Sequence, residues 1–273
     1  MKKFLLTAVT SIAIIGSATA GEIKKNTTTF HDLTSNEFRN TAYTISEEVA
    51  RAGNYSQRFQ LLPGACGKDR VGSDCERNAE RVERIYKKHT AGKTHWYAYS
   101  MMLDSNTNWH EAMTSTIALG QVKAHDVHKP IWILKMRGGQ LYASAYFAGK
   151  AHGTGGDGTT CHSLESTANI KGKWLDIVIK ADYSSKKKTN HSYFQIWFNG
   201  ELVCDIKDTI VNEHTWKARY RNESKDLSFR YGIYNFQTNW VMGKMPTRVV
   251  YYDEMRTGNT LESVQINQNN PVD

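Results

Sequence analysis

The chain carries almost no helical signal. No segment joins end caps to a clean 3.6-residue apolar period, and only residues 36–52 could hold a short helix. Proline occurs just four times in 273 residues. Beyond the first twenty residues no apolar run is long enough to cross a bilayer, so no membrane partner is expected. The cysteines show no C-x-x-C spacing and no accompanying H-x-x-x-H, which argues against zinc. No strand offers a Glu-x-Asp-x-x-Glu pattern. Asp253 and Glu254 are adjacent and point to opposite faces, so paired-carboxylate hydrolysis of glycosides lacks its two acids. Basic residues are scattered without a nucleic-acid motif, and nucleic acid is not an expected partner. No linker or internal repeat divides the chain.

What is present begins with a processing signal. Lys2 and Lys3 precede a mostly apolar run over residues 4–15, and Ala18-Thr19-Ala20 is a small-residue cleavage site. The expected organisation is a signal peptide over 1–20 and one domain over 21–273, periplasmic or secreted. There is no lipid-attachment cysteine near the cleavage point. Without the two leader lysines the formal charge of +8 becomes +6. A basic exported protein points to an anionic partner. Four cysteines in such a chain favour disulfides. Cys66 and Cys75 lie close together in a Gly-rich charged loop, and Cys161 with Cys204 would form a second bridge. The sequence leaves other pairings open.

Strand signals dominate the remainder. Residues 94–103, 131–136, 141–147, 174–180, 193–198, 202–206 and 248–255 read as strands. Gly138-Gly139 and Asn199-Gly200 are hairpin turns. Many short strands with Gly- and Asn-rich turns predict an all-β sandwich or jelly roll. Residues 149–161 form a long Gly-rich polar loop, of the kind that often binds or covers a ligand. Asp157 in that loop could help hold a structural Ca2+, although no dense run of carboxylates supports it. Trp174, Trp197 and Phe198 read as core. Trp109 and Trp240 sit in polar surroundings and could stack on sugar rings.

The segment from Phe229 to Asn235 is the most informative. As a strand it puts Phe229, Tyr231 and Ile233 on one face and Arg230, Gly232 and Tyr234 on the other. The first face suits a core. The second offers a cation, bare backbone for a ligand to approach, and a phenol able to exchange a proton.

In this order the pieces resemble the jelly-roll polysaccharide lyases, the group of glucuronan lyase and heparin lyase-type enzymes, and more distantly the alginate lyases. The resemblance covers residues 58–257. It rests on Arg81-Val82-Glu83, Gln121, Pro130, Trp174-Leu175-Asp176-Ile177-Val178, Ile196-Trp197-Phe198-Asn199-Gly200, Tyr231-Gly232-Ile233-Tyr234 and a closing strand over residues 251–255. It implies a β-jelly-roll sandwich whose concave sheet binds a uronate-containing polysaccharide and cleaves it by β-elimination. A base takes the C5 proton, alpha to the carboxylate, and an acid protonates the oxygen leaving C4. A carbanion beside a carboxylate is very unfavourable, so the carboxylate must first be neutralised.

Carried over residue by residue, the resemblance makes Tyr234 the general acid, or acid and base together. Its free pKa near 10 would have to fall for it to act as a base, and Arg230 could lower it. Arg81 would bind the carboxylate and Glu83 would orient Arg81, with Arg77 and Arg84 as alternative registers. Gln121 opens a Gln-x-His pattern and would neutralise the carboxylate. The pattern departs here: Lys123 stands two places on, and the first histidine is His125. Gln121, Lys123 and His125 share one strand face, but Ile117 and Leu119 have the same parity, so a bulge is required near Gly120. His125 is the expected base, with His128 and His110 as rivals. Arg230, Lys123, Glu83, Asn235 and Trp240 complete the expected substrate-binding set. No cofactor is required, and the protein is expected to act as a monomer on an acidic polysaccharide such as glucuronan, heparin-type chains or alginate. A non-catalytic carbohydrate-binding module on the same fold is the competing reading.

Overall fold

Burial alternates residue by residue along segments such as 175–181 and 194–198, as strands with one face in a core require. The computed structural model describes residues 32–33, 43–69, 72–90, 92–109, 115–124, 130–146, 158–184, 194–207, 210, 226–240, 245–266, 269 and 271–272. Among them the strands in chain order are β1 (Asp32–Leu33), β2 (Thr44–Ser46), β3 (Ser56–Leu61), β4 (Gly67–Asp69), β5 (Gly72–Ser73), β6 (Ala79–Thr90), β7 (Thr94–Leu103) and β8 (Thr116–Ala124). They continue with β9 (Trp132–Arg137), β10 (Gln140–Tyr146), β11 (Gly158–Ser166), β12 (Leu175–Asp182), β13 (Phe194–Phe198), β14 (Glu201–Ile206), β15 (Asp226–Phe236) and β16 (Arg248–Gly258). One short helix, α1 (Thr167–Ile170), follows β11.

The strands pair antiparallel in two large sheets. One runs β11-β10-β9-β8-β15-β6 and the other β14-β13-β12-β7-β16-β3-β2, with a small β1-β4-β5 sheet beside them. This is the expected jelly-roll sandwich. The inner faces meet in an aromatic core: Tyr97 and Phe229 have ring centres 4.7 Å apart, and Phe59 lies edge-on to Tyr252 at 5.3 Å. Both residues of each expected hairpin turn, Gly138-Gly139 and Asn199-Gly200, have positive φ, as primed turns demand.

Some expectations change. Residues 44–46, inside the segment that could hold a helix, form β2. The end of the Gly-rich loop, from Gly158, is strand β11, whose pattern is half-exposed because it is an edge strand. Trp109 is buried, with 1% of its surface exposed, and is no sugar platform. Trp197 is not core: it lies half-buried on the outer face of the seven-stranded sheet, stacked on Trp96 at 5.6 Å. Phe198 is core as expected.

Both disulfides pair as the sequence suggested, Cys66 with Cys75 and Cys161 with Cys204. The second joins β11 to β14, so it fastens the edges of the two large sheets to one another.

Strand β15 is irregular against both neighbours. Its register against β8 shifts between Tyr231 and Tyr234, and β8 shifts against β9 between Ala118 and Gly120. Leu119 is therefore the extra residue. The bulge required near Gly120 is present, and it lets Leu119 stay buried while Gln121 turns to the outer face. Gly232 sits opposite this bulge with φ of +129°. A Cβ there would collide with the Val82 carbonyl and lie 2.9 Å from the Glu83 Cα. The glycine is needed for the fit to β6, not only to admit a ligand.

Replacing Cys161 and Cys204 together by serine is expected to cost about 2–4 kcal/mol of stability in denaturant unfolding. Gly232→Ala is expected to cost about 2 kcal/mol, read as a lowered thermal midpoint, because the residue meets both strain and collision.

Candidate functional site

Three adjacent strands bring the expected residues together on the outer face of the six-stranded sheet. The register sets Tyr234 opposite Arg81 and Gly232 opposite Glu83, while Arg230 faces Gln121 and Ser228 faces Lys123. The intervening residues Val82, Val122, Phe229, Tyr231 and Ile233 are buried in the core. Period-two alternation thus anchors one face of each strand and presents the other.

The polar groups form a layered network. The Arg81 guanidinium lies over the Tyr234 ring, 3.9 Å from its centre. Its Nη2 reaches Asp74 Oδ1 at 2.7 Å, and its Nη1 lies 3.5 Å from Glu83 Oε2. Gln121 Nε2 donates to the other Glu83 oxygen at 2.5 Å. Arg230 Nε donates to Ser228 Oγ at 3.0 Å, and that hydroxyl donates to the Lys123 carbonyl at 3.2 Å. Asp74, Arg81, Glu83 and Gln121 are buried, whereas Tyr234, Arg230 and Lys123 are half-buried above them.

The electrostatics follow from that layering. Burial opposes the Arg81 charge, but Glu83 and Asp74 outweigh it and hold the guanidinium above its ordinary value. Burial pushes the Tyr234 phenol up, and Arg81 only partly offsets this. Arg230 is brought down to about 10, chiefly by burial, and stays charged at neutral pH. Lys123 is brought down to about 8 by burial and by the guanidiniums of Arg230 and Arg81.

Several expected positions change. Arg81, expected to bind the carboxylate, is sunk beneath Tyr234 and held by two carboxylates. Arg230 is the guanidinium nearer the surface. Arg81, not Arg230, also supplies the main pull on the Tyr234 proton, and that pull does not bring the phenol below its ordinary value. Arg84 faces the core, where Nη1 donates to the Tyr231 hydroxyl at 2.9 Å. Arg77 lies beside Asp74 at 3.5 Å on an exposed turn. Asn235 faces inward with none of its surface exposed, because it has the parity of Tyr231 and Ile233, so it cannot line the outer face. His125, His110, His128 and Asp157 lie outside the described residues, as does the side chain of Trp240, whose backbone closes a short 3-10 helix over Thr238–Trp240. His162 is exposed on β11, edge-on to Tyr142 at 5.6 Å. Among the described residues no group of three or more His, Cys, Asp or Glu is placed to hold a metal, and no helix is long and apolar enough to cross a membrane.

Two members of the network were not read from sequence. Asp74 comes from the charged loop, where only its neighbour Cys75 drew notice; the Cys66–Cys75 bridge fixes that loop beside Arg81. Ser228 carried a usable signal, since it shares the parity of Arg230 and Tyr234.

The arrangement provides a protonated phenol beside a cation, a half-buried guanidinium, and a buried amide held by a carboxylate, all on one sheet face. Comparisons with known proteins bear on the fold that carries this face. The endo-β-1,4-glucuronan lyase of the fungus Trichoderma reesei superposes with a TM-score of 0.59 at 18% identity, over 81% of this chain and 88% of that one. A substrate complex of a variant of the family 7 alginate lyase A1-II′ superposes with a TM-score of 0.50 at 11% identity, over 82% and 83%. These likenesses are of fold. No curated protein matches by sequence. The polysaccharide lyase family model, however, matches residues 18–256, nearly the whole length over which the two sheets and the polar face are built, and the chain belongs to that family.

Proposed function

We propose that this lyase cleaves a uronate-containing acidic polysaccharide by β-elimination, and that its leader directs it to the periplasm or the outside. The observation that carries the reading is the pairing of Tyr234 with Arg81 beside Arg230 and Gln121 on one face. A monomer acting without a cofactor suffices for the steps below.

The substrate carboxylate meets Arg230, whose planar guanidinium can bind it in two places, and the Gln121 amide. One amide hydrogen is committed to Glu83, which fixes the group and leaves the second for the ligand. Loss of the C5 proton puts an electron pair into a new C4–C5 double bond. The C4–O4 bond breaks, and O4 takes the proton of Tyr234. Burial keeps that phenol protonated at neutral pH, which suits an acid and argues against its service as the base. The phenolate left behind faces the Arg81 guanidinium, whose charge is already in place. Arg81 thereby acts through Tyr234, and Glu83 holds both Arg81 and Gln121.

Ultraviolet absorbance of the unsaturated uronate, followed with a panel of glucuronan, alginate and heparin-type polymers, tests this. The expected result is absorbance on at least one polymer, with Tyr234→Phe lowering kcat by about 100-fold or more. Gln121→Ala is expected to lower kcat by about 100-fold through loss of a preorganised donor. Binding without absorbance on every polymer would instead favour a non-catalytic carbohydrate-binding role.

A further inference from the structure

We propose that Lys123, as the neutral amine, is the base that takes the C5 proton. The inference rests on the elimination reading and supplies the group which that reading leaves open.

Chemistry restricts where the base can stand. The proton to be removed sits on the carbon that bears the carboxylate. The base must therefore flank the groups that hold the carboxylate. Lys123 does so: it is two residues from Gln121 on the same face of β8, and it faces Ser228, whose hydroxyl bonds to both Arg230 Nε and the Lys123 carbonyl.

The same surroundings make it give up its proton. Arg230 on β15 and Arg81 and Glu83 on β6 act on its charge through space. Asp74 approaches from the turn before β6. On β9 the paired residue of the same face is Ile133, opposite Gln121, and it carries no charge. Both carboxylates are already engaged. One Glu83 oxygen accepts from Gln121 and the other lies by Arg81, while Asp74 binds Arg81 at 2.7 Å. Among the described residues the Lys123 ammonium makes no hydrogen bond or ion pair of its own. Two guanidiniums disfavour the ammonium, one half-buried on β15 and one buried on β6. Guanidinium does not release its proton in proteins, so the lysine must yield. Its titration falls to about 8, within reach of working pH, for reasons of burial first and the two arginines next. The step balances: the C5–H pair passes into the double bond, the proton becomes the third on Lys123, and the proton lost to O4 comes from Tyr234. A bound carboxylate favours the ammonium, so the ionisation seen in kcat should lie above that seen in kcat/KM.

Lysine variants assayed on a polymer that the wild type cleaves will decide this. Lys123→Arg keeps the charge but cannot act as a base, and should lose about 100-fold or more in kcat. Lys123→His should retain more activity than Lys123→Arg, with the acid limb of kcat/KM moved from about 8 to about 6.5. His125→Ala should leave the limb near 8. A second readout needs no substrate. Lys123→Met should stabilise the protein below pH 8, where the folded wild type carries a disfavoured ammonium. That gain should fade as pH rises from about 8 to about 10.5, because there the unfolded lysine is still protonated and the folded one is not. Lys123→Arg within tenfold of wild type, an unmoved limb in Lys123→His, a limb abolished by His125→Ala, or a stability difference flat with pH would each overturn the assignment. If the wild type yields no unsaturated product on any polymer, the elimination reading itself falls, and the base role with it.

Discussion

The way β15 is held between β6 and β8 governs the rest of the structure. A strand side chain changes face with every residue, so a slip of one position would turn the whole polar row into the core. The Leu119 bulge absorbs one residue and restores the alternation for Gln121. Tyr252, from the opposite sheet, anchors this point: its hydroxyl lies 2.6 Å from the Leu119 carbonyl and 2.9 Å from that of Gly232, so one proton serves two backbone acceptors. The core residue of one sheet thus fixes the irregularity of the other. Gly232 completes the fit because β6 leaves no space for a side chain.

On that frame stands a cluster of charges that would be unfavourable anywhere else. Taking Arg81, Glu83 and Asp74 out of water costs several kcal/mol per ion, which their mutual attraction offsets only with good geometry. Here each buried ion has a partner, and the network is cross-braced by the disulfide loop. The arrangement gives little stability for its complexity. It does keep donors fixed before a ligand arrives, which is the condition for stabilising developing charge without reorganisation. The half-buried layer above it holds Tyr234, Arg230 and Lys123.

Much of this was legible in the chain. The alternation of residues 229–235 locates the site's central strand, and the parity conflict between Leu119 and Gln121 requires the bulge that the fold contains. Hairpin turns at Gly138-Gly139 and Asn199-Gly200 were readable because only residues tolerant of positive φ suit them. Depth was not readable. Arg81 and Arg230 look equivalent as letters, yet one is sunk under a ring and the other lies near the surface. Asn235 follows Tyr234 directly and was grouped with it, although a neighbour along a strand necessarily faces the other way. Trp109 looked exposed because its sequence neighbours are polar, while its burial depends on remote packing.

By itself the sequence determined the elements, their faces and the residue types on each face, because these follow from local periodicity and turn chemistry. Only the tertiary structure decided which strands lie side by side, how deep each charge sits and which charges meet. Asp74 reaches Arg81 from a turn seven residues away, and the guanidiniums that act on Lys123 come from segments distant in the chain. Their energies depend on separation and on exclusion of water, and neither quantity is written in the order of residues.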